Sequence, residues 1–152
     1  MYDLVALLSA NNWTVSVAES CTAGMLAAHI VDQPHASDIF QYGFITYSDQ
    51  AKSQLLGISS EDIKSYGAVS SEIAKLMATG AIKNSHSDFS VSITGYADGD
   101  DGGHIYIGIG SVLKAIEVHE YHFKGDRNTV RKLATIEAEK LLYKYILSLK
   151  KY

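Results

Sequence analysis

Thr14-Val15-Ser16-Val17-Ala18-Glu19-Ser20-Cys21-Thr22-Ala23-Gly24-Met25-Leu26-Ala27-Ala28-His29-Ile30-Val31 changes its hydrophobic period partway along. Thr14 to Ala18 alternate as a strand does, whereas Met25 to Val31 form an apolar run compatible with a helix. Glu19 to Gly24 therefore make a strand-to-helix turn. Such a turn projects a side chain from a sharp bend while nearby backbone N–H groups face a developing oxyanion, which is the setting of a nucleophile. Ser20 fits it, although the first glycine of G-x-S-x-G is missing. On spacing alone, Ser20 or Thr22 reads first as the cap of the helix that follows, since both are commonplace caps. Cys21 has no basic neighbour and reads as a packing residue.

Working outward, Leu4, Val5, Leu7 and Leu8 form an apolar stripe that ends at Asn11-Asn12, which suits a short helix. Phe40 to Tyr47 is aromatic and β-branched, and Asp49 to Leu56 ends before Gly57 as a helix would, giving a second strand-to-helix junction. Ser70 is placed to cap a third helix that has Glu72 in its first turn and buries Ile73, Leu76, Met77 and Ala81. Asp88 to Thr94 reads as a strand, Gly95 to Gly103 as a polar loop, and His104 to Val112 with Ala115 to Phe123 as an antiparallel hairpin. From Asn128 onward, Val130, Leu133, Ala134, Ala138, Leu141, Leu142, Tyr145, Ile146 and Leu149 recur at helical spacing to the end of the chain. Alternating helices and strands followed by a hairpin predict an α/β fold: one three-layer sandwich with a mixed β-sheet flanked by helices. With 152 residues, no repeat, no linker and one proline, a single domain over residues 1–152 is expected.

Composition narrows the function classes. Hydrophobic residues make up 47% and charged residues 20%, enough for a packed core. Thirteen Lys and Arg against seventeen Asp and Glu give a formal charge of −4, which argues against a nucleic-acid partner. No apolar stretch approaches the roughly 18 residues that cross a bilayer and no signal segment opens the chain, so a cytoplasmic protein with no membrane partner is expected. A lone cysteine forms no internal disulfide and no cysteine-based zinc site, and neither metal nor cofactor is invoked.

A serine nucleophile needs a base. No His–Asp pair is positioned by a motif, and His119 and His122, three apart on a strand, point to opposite faces and make a poor chelate. Lysine is the other option once burial or a helix N-terminus lowers its pKa. Lys52, within Tyr47-Ser48-Asp49-Gln50-Ala51-Lys52, lies near a helix start and reads as such a base or as a solvated surface lysine. The only arginines, Arg127 and Arg131, stand four apart at the front of the last helix, where cations oppose the helix dipole. A bound phosphate would account for them, and so would Asp126 acting as cap and salt-bridge partner. The loop Thr94-Gly95-Tyr96-Ala97-Asp98-Gly99-Asp100-Asp101-Gly102-Gly103 is either substrate-facing or a solvated connection. A calcium loop begun at Asp98 would need Glu where Ile109 stands.

Taken together and in order, Ala18-Glu19-Ser20-Cys21-Thr22-Ala23-Gly24, Tyr47 to Lys52, Leu55-Leu56-Gly57, Tyr66-Gly67-Ala68-Val69-Ser70, Ser92-Ile93-Thr94-Gly95 and Phe123-Lys124-Gly125-Asp126-Arg127 resemble the CinA C-terminal domain family across nearly the whole chain. The active members of that family are nicotinamide mononucleotide deamidases. The resemblance implies a metal-free, cofactor-free amidohydrolase that converts this nucleotide to nicotinate mononucleotide and ammonia. It implies Ser20 as nucleophile, Lys52 as base and Tyr47 as an orienting or proton-relaying group. Thr22, Thr94, Gly95, Ala97 and Arg127 would bind the pyridine nucleotide, and a homodimer or larger homo-oligomer is implied as well. The chain departs from the family pattern at two places. Ala23 stands where a second glycine is usual, and Thr94-Gly95-Tyr96-Ala97-Asp98-Gly99 replaces Thr-Gly-x-Ala-Gly-Pro. Asp98 brings negative charge toward the expected phosphate position, which opens two alternatives: a different amide as substrate, or an inactive paralogue that binds nucleotides or partners.

Overall fold

The computed structural model describes residues 3–149. The elements are α1 (Leu4–Ala10), β1 (Val15–Glu19), α2 (Met25–Val31), a 3₁₀ turn (Ala36–Asp38), β2 (Phe40–Ile45), α3 (Asp49–Leu56), α4 (Ser60–Tyr66), α5 (Ser71–Ser85), β3 (Phe89–Gly95), β4 (His104–Ser111), β5 (Glu117–His122) and α6 (Arg127–Leu149). One five-stranded sheet runs in the order β2-β1-β3-β4-β5. β1 is parallel to both β2 and β3, whereas β3 with β4 and β4 with β5 are antiparallel, so the sheet is mixed as expected.

Side-chain alternation sorts the layers. Val15, Val17, Phe89, Val91, Ile93, Ile105, Ile107 and Ile109 face one side and pack with α1, α2 and α6. The other side carries Ala18 against Leu56, Ile63, Ile73, Met77 and Ala81 from α3, α4 and α5. That second face is built from small residues. The Ser90 hydroxyl donates to the Ala78 carbonyl at 2.8 Å and that of Ser92 to the Ala74 carbonyl at 2.6 Å, drawing α5 onto the sheet. Gly108 makes the approach possible, because a Cβ there would lie 2.4 Å from Ser92 Oγ and 3.0 Å from the Ala74 oxygen. Gly108→Ala is therefore expected to destabilise the fold by about 1–3 kcal/mol, through overpacking against a helix carbonyl that cannot retreat. Chemical denaturation measures this, and a loss below about 0.5 kcal/mol would show that α5 can shift.

Several element boundaries differ from the sequence-based expectation. The aromatic strand stops at Ile45 rather than Tyr47, and the second hairpin strand begins at Glu117 rather than Ala115. The last helix opens at Arg127, one residue early, and anything past Leu149 lies outside the described residues. Ser70 caps α5 as expected, accepting from the Ile73 N–H at 3.2 Å. The seven-residue α4 was not foreseen. Ser59 caps it and it buries only Ile63, so its apolar stripe is too short to register as a period. No described helix is long and apolar enough to cross a membrane.

Candidate active site

The turn after β1 is held from an unexpected quarter. Neither Ser20 nor Thr22 caps α2, whose N-cap Gly24 has no side chain to offer. The fully buried Glu19 does the capping instead. One carboxyl oxygen accepts from Leu26 N–H at 2.9 Å and from the Thr22 hydroxyl at 2.6 Å, and the other accepts from Ala27 N–H at 3.0 Å. Thr22 is thus a buried support for Glu19 and does not line the cleft described below, contrary to the expectation that it binds substrate. The bend itself passes through Ala23 and Gly24 at φ 48° and 101°. An alanine tolerates that region only at a cost, which the surrounding hydrogen bonds must meet. Arg131 supplies two of them, donating from Nε to the Cys21 carbonyl at 2.9 Å and from Nη2 to the Thr22 carbonyl at 3.2 Å. Arg131 therefore clamps the turn, and the expectation that it helps hold an anion gives way to this role.

With the cap supplied elsewhere, the Ser20 hydroxyl is free for the base. Lys52 projects from α3, whose N-cap Ser48 accepts from Ala51 N–H at 3.1 Å. Its side chain is only 1% exposed. The Lys52 Nζ lies 3.2 Å from Ser20 Oγ and donates to the Thr46 carbonyl at 3.1 Å. Burial pulls the Lys52 pKa below its ordinary value, opposed in part by the negative charge of Asp49 and by Cys21. Desolvation is the largest effect, so of the two routes to a neutral lysine that the sequence offered, burial and the helix dipole, burial dominates. Cys21 moves the opposite way: burial pushes its thiol up to about 11, so it stays protonated and inert at neutral pH.

A cleft of about 240 Å³ opens over this pair. Ser20, Cys21 and Lys52 line it together with Ala68, Val69, Thr94 to Asp98, Tyr47, Asp49 and Arg127. Thr94 is buried and its hydroxyl donates to the Ala68 carbonyl at 2.7 Å, tying two parts of the lining together. Gly95 lets β3 and β4 meet at the cleft edge, since a Cβ there would stand 2.6 Å from the His104 carbonyl. Ala97 is buried in the loop. Tyr47 is exposed at the rim and interacts with Arg127; among the described residues no hydrogen bond joins it to Ser20 or Lys52.

Arg127 takes a partner that sequence did not assign. Its Nε donates to Asp98 Oδ2 at 2.8 Å and its Nη2 to Asp98 Oδ1 at 2.7 Å. The hydrogen bonds that Arg127 donates to Asp98, and then its bond with Tyr47, raise the Arg127 pKa above its ordinary value. Asp126 caps α6 as expected, accepting from Thr129 N–H at 2.8 Å in a bond that lowers its pKa, while the ion pair of Arg127 goes to Asp98.

A larger hollow of about 630 Å³ is lined by Asp3, Ser9, Gln33, His35 and their neighbours, and among the described residues no hydrogen bond pairs Ser9 with His35. Among the described residues one group of three, His104, Glu120 and His122, brings metal-type ligand atoms within 4.8 Å of one another, and none of the three lines the cleft. Strand pairing sets His122 beside His104, a juxtaposition that the spacing of His119 and His122 could not show.

Comparison with known proteins agrees with this geometry. Residues 1–146 match the CinA C-terminal domain family. The chain is 40% identical over 150 residues to a putative competence-damage inducible protein of Caldicellulosiruptor bescii, covering 95% of this chain and 36% of that protein. It is 42% identical over 137 residues to a CinA-like protein of Leptospira biflexa, covering 86% of this chain and 33% of the relative. The chain thus spans about a third of the length of these curated relatives. Among solved structures, a competence-damaged protein (CinA) superfamily protein from Escherichia coli superposes with a TM-score of 0.86 at 35% identity, covering 91% of this chain and 86% of that one. The corresponding Klebsiella pneumoniae protein gives 0.89 at 30% identity over 94% and 92% of the two chains. A match along nearly all of the sequence, with the same arrangement of strands and helices, means that the chain belongs to the CinA C-terminal domain family.

Proposed function

We propose that this chain is a metal-independent serine amidohydrolase that converts nicotinamide mononucleotide to nicotinate mononucleotide and ammonia. The observation that carries the reading is the buried Lys52 amine 3.2 Å from the Ser20 hydroxyl, both lining one cleft. Neutral Lys52 takes the Ser20 proton as the oxygen bonds to the carboxamide carbon, and the new ammonium stays beside the tetrahedral oxyanion. Lys52 then returns the proton to the nitrogen, the C–N bond breaks, and ammonia leaves an acyl ester on Ser20. Water attacks that ester as Lys52 accepts its proton. Lys52 then gives that proton to Ser20 Oγ as the acyl C–O bond breaks, which restores the serine and the neutral lysine. The released acid loses its own proton to solvent. Arg127, which lines the same cleft as Ser20 and Lys52, is the group suited to the nucleotide phosphate, so phosphate binding would help position the carboxamide.

Ammonia release from nicotinamide mononucleotide, measured for wild type and Ser20→Ala side by side with chelator present, tests the reading. Turnover by the wild type and its loss in Ser20→Ala is the expected result. Turnover that survives in Ser20→Ala, or is abolished by the chelator, would count against it, as would no turnover by either protein.

A further inference from the structure

We infer that Asp98 is a specificity-determining residue: its carboxylate occupies the Arg127 fork as an internal rival of a substrate phosphate and biases the cleft toward carboxamides that lack one. The inference rests on the amidohydrolase reading and adds to it the substrate class.

The pair is bidentate, with two parallel bonds of 2.8 and 2.7 Å. A planar guanidinium presents that same pair of donors to two phosphate oxygens, so carboxylate and phosphate compete for one geometry. Asp98, Arg127, Ser20 and Lys52 all line one cleft, which places the competition inside the reaction site. The loop that carries Asp98 is closed upon itself. Gly103 N–H donates to the Tyr96 carbonyl at 2.7 Å, Gly102 N–H to that of Gly99 at 3.1 Å, and His104 N–H to that of Asp101 at 3.2 Å. Gly102 lies so close under Asp98 that a Cβ would stand 2.9 Å from its Cα. The carboxylate is therefore presented by a built turn with its partner already engaged.

Charge works in the same direction. When Lys52 is neutral, as a base must be, the cleft retains the carboxylates Asp49 and Asp98 against the single cation Arg127. Asp100 and Asp101, both exposed, follow on the same loop. A phosphate that takes the Nε–Nη2 edge of Arg127 must displace Asp98, and one that takes the remaining Nη1 donors sits beside the Asp98 charge, whereas an uncharged ribosyl group does neither.

The test is the ratio of kcat/KM for nicotinamide mononucleotide to that for nicotinamide riboside, measured in wild type, Asp98→Gly and Asp98→Asn. Removing the carboxylate is expected to raise the ratio roughly tenfold, the scale of one half-exposed ion pair plus the repulsion it leaves beside a phosphate. In the Asp98→Gly background, Arg127→Ala should cancel the rise. A ratio that stays within about threefold in both single variants overturns the inference, as does a rise that survives loss of Arg127. If no variant hydrolyses either compound, the amidohydrolase reading fails by itself, and the role of Asp98 is decided by calorimetry. Nicotinate mononucleotide should then bind Asp98→Gly roughly tenfold more tightly than wild type while nicotinate riboside does not, and equal changes for the two overturn it.

Discussion

Lys52→Met is expected to lower kcat for the carboxamide by roughly 10³- to 10⁴-fold without lowering the stability of the fold. Methionine fills much of the volume of the lysine stem, so the packing under the cleft survives while the proton acceptor 3.2 Å from Ser20 disappears. Burial of an amine with a lowered pKa opposes folding, and the apolar replacement removes that cost. Stability should accordingly be unchanged or raised, a readout that a purely structural lysine would move the other way.

The pH dependence follows from the same residue. Lys52 must be neutral to accept the serine proton, so kcat should climb with pH through its folded-state pKa, which lies below the ordinary lysine range. Stability carries a matching sign. Between the lowered folded pKa and the unfolded value of about 10.4, the unfolded chain binds more protons, so the folded state gains stability as pH rises across that window. Lys52→Met should flatten this rise. Rate profiles and urea titrations across the alkaline range measure both, and a variant that keeps more than about a tenth of wild-type kcat would remove Lys52 from the role of base.

Glu19→Ala is expected to cost about 3 kcal/mol or more, a fall in Tm of roughly 6–12 °C for a chain of this size. The carboxyl group is fully buried and serves the Leu26 and Ala27 N–H groups and the Thr22 hydroxyl together. Its removal leaves two buried donors and one half-buried donor unsatisfied and unpins the start of α2 from the end of β1. Because Ser20 is the next residue, kcat should fall even under conditions where the variant is folded. Glu19→Gln keeps one accepting oxygen and should lose less stability. Differential scanning calorimetry separates the two variants, and a loss under about 1 kcal/mol for Glu19→Ala would mean that water takes over the capping.

How far these features could be read from the chain depends on how local their causes are. The strand-to-helix junctions at Ser20 and before Lys52, the Ser70 cap and the hairpin after the polar loop were legible, because period, capping chemistry and turn residues act within a few positions. Helix α4 was not legible, since a seven-residue helix burying one isoleucine has too little period to read.

The site divides along the same line. Sequence order placed Ser20 and Lys52 at the right kind of junction and left each with a commonplace reading, as cap or as surface lysine. Parallel pairing of β1 with β2 brings the two junctions to the same sheet end, and packing of α3 there buries the amine; both are long-range events. The capping duty of Glu19 over seven and eight residues, the Arg131 clamp on Cys21 and Thr22, and the Asp98–Arg127 pair across 29 positions have no local signature at all. By itself the sequence determined the layered α/β fold and the residue types available for chemistry, since hydrophobic period and capping are properties of neighbours along the chain. Only the tertiary structure decided which serine is free, which lysine is dry and which arginine is already taken, because burial and ion pairing depend on residues that meet only after folding.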